Sequence, residues 1–434
     1  MPSRHNNGSG SPRLAALKIV QRTLQGQDLQ SALNTGLSSF KLSAEDAALC
    51  TRICYCYLRL KGRLEFILKE LSNKKLAKQS SMLKYILGLG LFELLYLARV
   101  PDYATVSWYV QYCKKRLSPN LAPMVNAVLR RAAREKEQLL EPNFFRQGNP
   151  SQEELLARYY SCPLWLAGLW LHTLGRESCE KLLTESLQPP FVGLRVNQTL
   201  PESEQVLDLL QQDSALVRRQ GFGLALERAP GSVPHLEEQG LLSRQSLASQ
   251  LALMQLEPAN WPLPVWDACA GHGGKAGLLL ENGIHSLWVS DLSLSRLKQA
   301  KLELQRLHLP PRPMFAADVA QPAPLGQTPG TLLLDVPCSG LGVLSRRPDI
   351  KWKLRKKELK TLIRLQARML SQAARILPPG GKLIYLTCTV NPRENQEQIQ
   401  KLLQSGCWEL ARECPPDLDS GLREYFYAAC LRRL

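Results

Sequence analysis

Two cysteines stand at the ends of two short apolar segments of this chain. Cys338 follows the segment Thr331–Val336, and Cys388 follows the segment Lys382–Thr387. Each segment is a continuous run rich in Leu, Ile or Val, which is typical of a strand buried on both faces of a parallel sheet. Functional groups gather beyond the carboxyl ends of such strands, so we expect both thiols to face one crevice. Two thiols in one crevice can act as a nucleophile and a base.

Carboxylates end the neighbouring predicted strands. Asp291 follows Ser286–Ser290, Asp318 follows Pro313–Ala317, and Asp335 ends the run before Cys338. A carboxylate about 20 residues after a Gly-rich loop can hold a ribose diol. Asp291 could instead cap the following helix, because it precedes Leu292-Ser-Leu294. Helix capping does not easily explain why acids and thiols align at five strand ends. A nucleotide-like cofactor that lies across the sheet edge explains this alignment better.

A Gly-rich loop follows the first predicted strand, Leu263–Ala268. It reads Asp267-Ala-Cys-Ala-Gly-His-Gly-Gly-Lys275, and its glycines allow a sharp turn and close approach to a ligand. The loop is not a P-loop, because Lys275 is followed by Ala276, and it lacks the three-glycine dinucleotide spacing. A ribose-binding acid without a phosphate cradle indicates S-adenosylmethionine rather than ATP or NAD.

The composition of the 434-residue chain indicates the partner and the compartment. Lys and Arg number 55 against 38 Asp and Glu, and the resulting charge of +17 favours nucleic acid, although solubility or an acidic protein partner are alternatives. The twelve cysteines are scattered and follow a polar tail, Met1–Pro12, so we expect free thiols in a reducing cytoplasm. The apolar segment from Tyr85 to Val100 is broken by Glu93, and only six His are present, so we expect neither a membrane span nor a metal site.

The hydrophobic periodicity divides the chain into three predicted domains. Helical stripes, such as Leu64, Ile67, Leu68 and Leu71, predict an all-helical domain over residues 1–140. Residues 151–235 are predicted to form a small α+β subdomain that links the other two. Strands alternating with helices over residues 236–434 predict an α/β, Rossmann-like, doubly wound parallel sheet, with Tyr425–Leu431 as its last strand.

At this point the motifs resemble those of the RNA 5-methylcytosine methyltransferases, specifically the bacterial RsmB (Sun/Fmu) family that acts on 16S ribosomal RNA. The matching segments are the Gly-rich loop, Asp335-Val-Pro-Cys-Ser-Gly-Leu-Gly-Val343, Arg347-Pro-Asp-Ile-Lys-Trp352 and Leu386-Thr-Cys-Thr-Val-Asn-Pro-Arg-Glu-Asn395. Met124-Val-Asn-Ala-Val-Leu-Arg-Arg131 resembles part of the family's NusB-like RNA-binding domain, and Leu194-Arg-Val-Asn197 resembles its middle segment. The resemblance covers almost the whole chain and implies a cytoplasmic, monomeric enzyme.

The resemblance also implies roles for single residues. Cys388 is expected to be the nucleophile, Cys338 the second thiol, and Asp335 a contact of both cytosine and cofactor. The expected contacts of S-adenosylmethionine are Cys269, Ala270, Gly271, His272, Gly273, Gly274, Lys275, Asp291, Asp318 and Asp335. For Cys269 the loop backbone matters and the thiol is expected to pack. Each catalytic thiol taken alone would also be expected to be a packing residue.

A basic run follows the Cys338 loop, and we expect it to contact RNA phosphates near the crevice, although such runs are usually solvated surface. Its candidate contacts are Arg346, Arg347, Lys351, Arg355 and Lys356. Trp352 within the run could stack on a base or simply pack. The target base must leave its stack to reach such a crevice.

The chain departs from the family at the cofactor loop. Gly271-His272 stands where the family usually has Ala-Pro, and Ala276 stands where it usually has Thr. This departure keeps open a catalytically impaired RNA-binding factor of ribosome assembly with the same fold. Action on transfer RNA is a further alternative, which the NusB-like first domain disfavours.

Overall fold

The computed structural model describes residues 11–72, 80–98, 100–322 and 325–434. Most of the predicted polar tail, residues 1–10, lies outside this range. The chain divides into two compact units, which we call the helical unit and the sheet unit. The helical unit takes Met1–Gln188 together with Arg347–Lys353, and the sheet unit takes Pro189–Arg346 together with Leu354–Leu434.

The helical unit forms because apolar side chains recur every three or four residues and share one core. The predicted stripe is buried throughout, and it consists of Leu64, Ile67, Leu68 and Leu71. Its helices are α1 (Pro12–Leu24), α2 (Leu29–Phe40), α3 (Ala44–Leu71), α4 (Ser81–Tyr96), α5 (Asp102–Arg116), α6 (Ala122–Arg134), α7 (Lys136–Leu140), α8 (Gln152–Tyr159), α9 (Leu164–Ser186) and the short Ile350–Lys353, which is α15 in chain order.

A four-stranded antiparallel sheet begins the sheet unit, in the order β2-β3-β1-β4. Its elements are β1 (Val192–Val196), α10 (Ser203–Gln211), β2 (Leu216–Gln220), β3 (Gly223–Leu226), α11 (Val233–Glu238) and β4 (Leu242–Arg244). The predicted subdomain of residues 151–235 divides differently here, because α8 and α9 belong to the helical unit and β4 lies beyond residue 235.

A seven-stranded sheet forms the main part of the sheet unit, in the order β10-β11-β9-β8-β5-β6-β7. Its elements are α12 (Leu247–Met254), β5 (Val265–Asp267), α13 (Gly274–Glu281), β6 (Leu287–Asp291), α14 (Leu294–Arg306), β7 (Met314–Ala316), β8 (Thr331–Asp335), α16 (Lys356–Ile376), β9 (Lys382–Thr387), α17 (Gln396–Leu403), β10 (Trp408–Cys414) and β11 (Tyr427–Arg433). Short 3-10 turns occur at Pro119–Leu121, Pro142–Arg146, Pro258–Asn260 and Pro392–Glu394.

Both faces of this sheet are buried, which explains the continuous apolar runs. On β8, Leu333 packs into a core with α13 and α14, whereas its neighbours Leu332 and Leu334 pack into a second core with α16. Such two-sided burial is the property of parallel strands covered by helices. The predicted α/β architecture is therefore confirmed, and the strands from β5 to β9 pair in parallel.

One edge of the sheet departs from the parallel prediction. β11 pairs antiparallel with both β9 and β10. The sequence pattern did not predict β10, because this edge strand is largely exposed and its charged residues, such as Glu409 and Arg412, show no apolar pattern. Among the described helices, the structure has none with the length and apolar character needed to cross a bilayer.

Candidate active site

The parallel strands bring their carboxyl ends to one edge of the sheet. β5 ends at Asp267, β6 at Asp291 and β8 at Asp335, while Cys388 directly follows β9. The pairs β6–β5, β5–β8 and β8–β9 are adjacent and parallel. The acids and the thiol therefore lie beyond the same edge, because of the strand register rather than their distance in sequence.

The two thiols lie in contact at this edge. The Sγ atoms of Cys338 and Cys388 are 3.2 Å apart, and the Cys388 backbone N–H donates to Cys338 Sγ at 3.3 Å. Both cysteines are free and half-buried. The hydrogen bond with Cys388, followed by burial and the charges of Cys388 and Glu394, raises the pKa of Cys338 well above its usual value. Cys338 therefore holds its proton more tightly than an ordinary thiol does.

A lysine and two aspartates form a charged cluster at the same edge. Lys275 Nζ donates to Asp335 Oδ2 at 2.5 Å. Burial alone would lower the pKa of Lys275, but the ion pair with Asp335 and the charges of Asp267 and Cys388 raise it above its usual value. Lys275 is therefore an ammonium, and Asp335 is its ion-pair partner.

Asp267 lies fully buried under this ion pair. Burial, followed by the charge of Asp335, raises the pKa of Asp267 to about 7, although Lys275 acts in the opposite direction. Its Oδ1 accepts a long hydrogen bond of 3.4 Å from the Cys269 backbone N–H. Its Oδ2 has no hydrogen-bond partner among the described residues.

The Gly-rich loop is shaped by backbone conformations that favour glycine. Gly271 and Gly273 have φ of +57° and +83°, which a side chain would strain. The Gly271 N–H donates to Asp291 Oδ2 at 3.0 Å, and the Ser293 N–H donates to Asp291 Oδ1 at 2.8 Å. Asp291 therefore ties the loop to the end of β6, and it is Ser293 that caps α14.

The groups around this loop are suited to bind S-adenosylmethionine. A Cβ placed at Gly271 would meet no atom within 4 Å, so the turn leaves open space, and the adjacent His272 is exposed. Asp318 is also exposed, and its Oδ1 accepts from the Ala320 N–H at 3.0 Å. Carboxylates with open backbone and no phosphate cradle suit a ribose and a sulfonium cation. Burial, followed by the charges of Asp267 and Asp335, raises the pKa of the Cys269 thiol well above its usual value.

A buried ion pair links the four-stranded sheet to the helix that follows the Gly-rich loop. Arg195 on β1 donates from Nε and Nη2 to the two carboxylate oxygens of Glu281 at 2.8 and 2.9 Å, and from Nη1 to Gly274 O at 2.8 Å. Asn197 donates from Nδ2 to Leu307 O at 2.8 Å. The segment Leu194–Asn197 thus fixes both ends of α13 and the end of α14, a role that its sequence did not reveal.

The five predicted RNA contacts differ in exposure. Arg355 and Lys356 are exposed, and Arg347 forms an ion pair with Asp28 within the helical unit. Arg346 pairs with the buried Glu424 at 2.7 Å and remains partly exposed.

Lys351 contradicts the prediction of a phosphate contact. Its side chain is 1% exposed and Nζ donates to Arg59 O at 3.0 Å, inside the helical unit. Burial, with the charges of Arg59, Lys61 and Arg63, lowers the pKa of Lys351 to about 7. The adjacent Trp352 also packs there, and its Nε1 donates to Leu58 O at 2.6 Å. Packing therefore replaces base stacking as the role of Trp352.

Two side chains at the site were not predicted from the sequence. Glu394, six residues after Cys388, accepts hydrogen bonds from the segment that follows Cys338, and Gln366 on α16 donates to it. An available signal was that Glu394 is the first acidic residue after a candidate nucleophile. Gln366 gave no such signal, because it is one of several polar residues on an amphipathic helix.

Comparisons with known proteins agree with this architecture. Residues 253–416 match the model of the family "16S rRNA methyltransferase RsmB/F", and residues 11–134 match the NusB family. The chain is 33% identical over 399 residues to the probable ribosomal RNA small subunit methyltransferase B of Synechocystis sp., covering 89% of this chain and 87% of that protein. It is 32% identical over 400 residues to the ribosomal RNA small subunit methyltransferase B of Vibrio vulnificus, covering 90% of each.

Solved structures share the fold. The crystal structure of PH0851 has a TM-score of 0.76 at 21% identity, covering 97% of this chain and 99% of that one. The structure of NSun6 from Pyrococcus horikoshii with SFG has a TM-score of 0.54 at 18% identity, covering 62% of this chain and 98% of that one.

The sheet, its Gly-rich loop and the matched models define a Rossmann-like methyltransferase domain that follows a NusB-type helical domain. The class is that of enzymes using S-adenosylmethionine as methyl donor. Within this class, the chain belongs to the family of ribosomal RNA small subunit methyltransferase B. The predicted family, fold class and cofactor are thereby confirmed. Among the described residues, no group of three or more His, Cys, Asp or Glu is arranged to hold a metal ion.

Proposed function

We propose that this protein transfers a methyl group to carbon 5 of a cytosine in 16S ribosomal RNA, through a covalent bond between Cys388 and carbon 6. The observation that carries the proposal is the 3.2 Å contact between the two sulfurs, at the sheet edge that holds the Lys275–Asp335 ion pair. A methyltransferase acting on oxygen or on an exocyclic nitrogen has no need of two adjoining thiols.

The chemistry requires a nucleophile because carbon 5 of cytosine is too weak a nucleophile by itself. The Cys388 thiolate forms a bond to carbon 6, and the electron pair of the ring double bond moves to carbon 5. Carbon 5 would then form a bond to the activated methyl group of the cofactor, while the bond between that methyl group and the sulfonium sulfur would break and leave its electron pair on a neutral thioether. Loss of the carbon 5 proton returns the electron pair to the ring, and the bond between carbon 6 and Cys388 breaks.

The second thiol suits the release step. Cys388 is itself the largest cause of the raised pKa of Cys338. That cause disappears while Cys388 is bonded to carbon 6, so Cys338 becomes easier to ionise at the stage that needs a base. Cys338 thus acts second, by taking the carbon 5 proton or by assisting the departure of Cys388.

The charged cluster orients the cytosine and the cofactor. Lys275 is an ammonium that donates to Asp335 at 2.5 Å, so Lys275 is the donor that we expect to reach cytosine N3 or O2. Such a donor stabilises negative charge that develops on the ring during attack. Asp291, Asp318 and the loop from Cys269 to Gly274 would hold the cofactor.

The exposed residues Arg355 and Lys356 remain the best candidates for RNA contact, because Arg346 is already paired with Glu424. The names of the relatives favour small-subunit ribosomal RNA as the substrate over transfer RNA. The alternative of an impaired assembly factor depended on Gly271-His272. Since His272 is exposed and Gly271 adjoins open space, this pair does not block the loop.

Two variants test the mechanism with tritiated cofactor and unmodified 16S RNA. Cys388→Ala should abolish both methyl transfer and the covalent protein–RNA band on a denaturing gel. Cys338→Ala should let that band accumulate, because attack is intact and release is slowed. Cys407→Ala, at an exposed cysteine, serves as the matched control.

Three results would contradict the proposal. Normal turnover by Cys388→Ala would show that Cys388 is not the nucleophile. A label found on transfer RNA alone would show that ribosomal RNA is not the substrate. RNA binding by the wild-type protein without any transferred label would favour the assembly factor.

A further inference from the structure

The buried carboxylate of Glu394 accepts hydrogen bonds from both segments that carry the thiols. On the Cys338 side, Ser339 donates from its backbone N–H to Oε1 at 2.8 Å and from Oγ to Oε2 at 2.6 Å. On the Cys388 side, Asn391 Nδ2 donates to Oε2 at 2.9 Å. Ser339 directly follows Cys338, and Asn391 is the third residue after Cys388. One side chain therefore joins the two thiol-bearing segments.

Neighbouring elements hold Glu394 in place. Gln366 on α16 donates from Nε2 to Glu394 Oε1 at 3.2 Å and to Pro337 O at 2.9 Å. The Tyr385 hydroxyl on β9 donates to the Glu394 backbone carbonyl at 2.7 Å. Both Glu394 and Gln366 are fully buried. In such a dry environment each hydrogen bond is strong, and a donor left without its acceptor is costly.

We propose that Glu394 is a positioning residue for methyl transfer, which holds the Cys338 segment against the Cys388 segment and so maintains the contact between the two sulfurs. The inference rests on the proposed function, since that function gives the thiols their separate steps. Near-attack geometry is sensitive, and a misplacement of about 1 Å can cost on the order of a hundredfold in rate.

The donors around Glu394 explain why a carboxylate is needed. The groups facing it from Ser339, Asn391 and Gln366 are all donors, and an ionised carboxylate only accepts. Glutamine has nearly the same size, but its amide nitrogen is a hydrogen-bond donor and would face the donor groups that now bind the carboxylate. Glu394→Gln should therefore separate the two thiol-bearing segments while leaving the cofactor loop unchanged.

The test compares Glu394→Gln with Glu397→Gln, which removes the same charge three residues later at a half-buried position on α17. We expect Glu394→Gln to lower kcat at least tenfold relative to Glu397→Gln, with KM for S-adenosylmethionine changed less than twofold. RNA carrying 5-fluorocytidine cannot release its carbon 5 substituent, so it traps the adduct. The rate of trapping should fall in parallel with kcat, whereas partial unfolding would lower the trapped amount and leave the rate of the folded fraction unchanged.

A second variant decides the matter if Glu394→Gln is unfolded at the assay temperature. Ser339→Ala removes one donor of the set and should lower kcat by about three- to tenfold, again without a change in KM for the cofactor. A kcat within twofold of the Glu397→Gln control, in whichever of these variants is folded by circular dichroism, would overturn the inference. Absence of methyl transfer by the wild-type protein would instead overturn the proposed function.

Discussion

Single side chains at the sheet edge carry charges that depend on their burial. Asp267 is 0% exposed, and its raised pKa of about 7 contrasts with its ordinary value of 3.8. Asp335, on the adjacent strand, is only partly buried and is neutralised by Lys275. Two carboxyl groups at neighbouring strand ends therefore differ in their surroundings, because Asp267 is cut off from solvent whereas Asp335 has access to solvent and to a cation.

The stability of the Asp267→Asn variant relative to the wild-type protein should increase as the pH rises. Between about pH 4 and pH 7 the folded protein keeps a proton on Asp267 that the unfolded chain has released. The free energy of unfolding contributed by Asp267 thus falls through this window, by up to about 1.4 kcal/mol per pH unit. The asparagine has no such proton, so the Tm of the variant minus that of the wild-type protein should increase from pH 5 to pH 8. Asp318→Asn, at an exposed site, should show no such trend, and a flat difference for Asp267→Asn would contradict the assignment.

At the scale of elements, the segment Arg347–Lys353 belongs to the helical unit although the chain on either side belongs to the sheet unit. Lys351 donates to Arg59 O, Trp352 donates to Leu58 O, and Lys353 donates to Gln27 O. Lys61 also lies over the ring of Trp352, with Nζ 4.4 Å from its centre. The two lysines of this segment thus bind backbone carbonyls of the helical unit, and the exposed candidates for RNA contact, Arg355 and Lys356, follow it in the chain.

Lys351→Met should stabilise the protein more at neutral than at alkaline pH. The pKa of Lys351 is lowered from 10.5 to about 7. Between these values the unfolded chain binds a proton that the folded protein lacks, so wild-type stability rises with pH across the window. Methionine removes this dependence, and the Tm gain of the variant should therefore be larger at pH 7 than at pH 9.5. Lys356→Met, at an exposed lysine, is the control, and its change in Tm should be equal at both pH values. An equal change in Tm at both pH values for Lys351→Met would mean that the Lys351 ammonium is not buried.

At the scale of the whole molecule, the net charge of +17 favours binding of a polyanion. This excess is spread over the sequence, and part of it is neutralised in ion pairs such as Arg346–Glu424 and Arg195–Glu281. Affinity for RNA should consequently depend on those basic residues that are exposed and not already paired with an acid.

The double variant Arg355→Gln/Lys356→Gln should weaken RNA binding and its salt dependence together. Each phosphate of a single strand that a protein neutralises adds about 0.7 to the slope of log affinity against log salt, so the slope should fall by about 1.4 if both residues bind phosphate. Fluorescence anisotropy with a 16S RNA fragment at several salt concentrations measures the slope. Lys351→Met is the matched control, because its buried amine cannot reach a phosphate. An equal slope for the double variant and the wild-type protein would place the RNA path elsewhere.

Sequence alone was enough to locate the strands that carry the thiols. Buried parallel strands are apolar on both faces, so runs such as Thr331–Val336 and Lys382–Thr387 predict β8 and β9 almost residue for residue. The edge strand β10 was not predicted because its pairing depends on backbone groups that all sequences share. The separation of α8 and α9 from the α+β segment likewise depends on which core their apolar faces join, and many cores would accept the same pattern.

What the sequence determined by itself was the chemistry available at one sheet edge, because strand ends follow from local patterns of apolar and small residues and continuous apolar runs are typical of buried parallel strands. Tertiary structure alone decided which charged groups act there. It paired Lys275 with Asp335 across 60 residues, buried Lys351 among helical carbonyls, and joined Ser339 to Glu394 across 55 residues. The physical reason is that burial and pairing set the charge and position of a side chain, and both depend on residues distant in the chain.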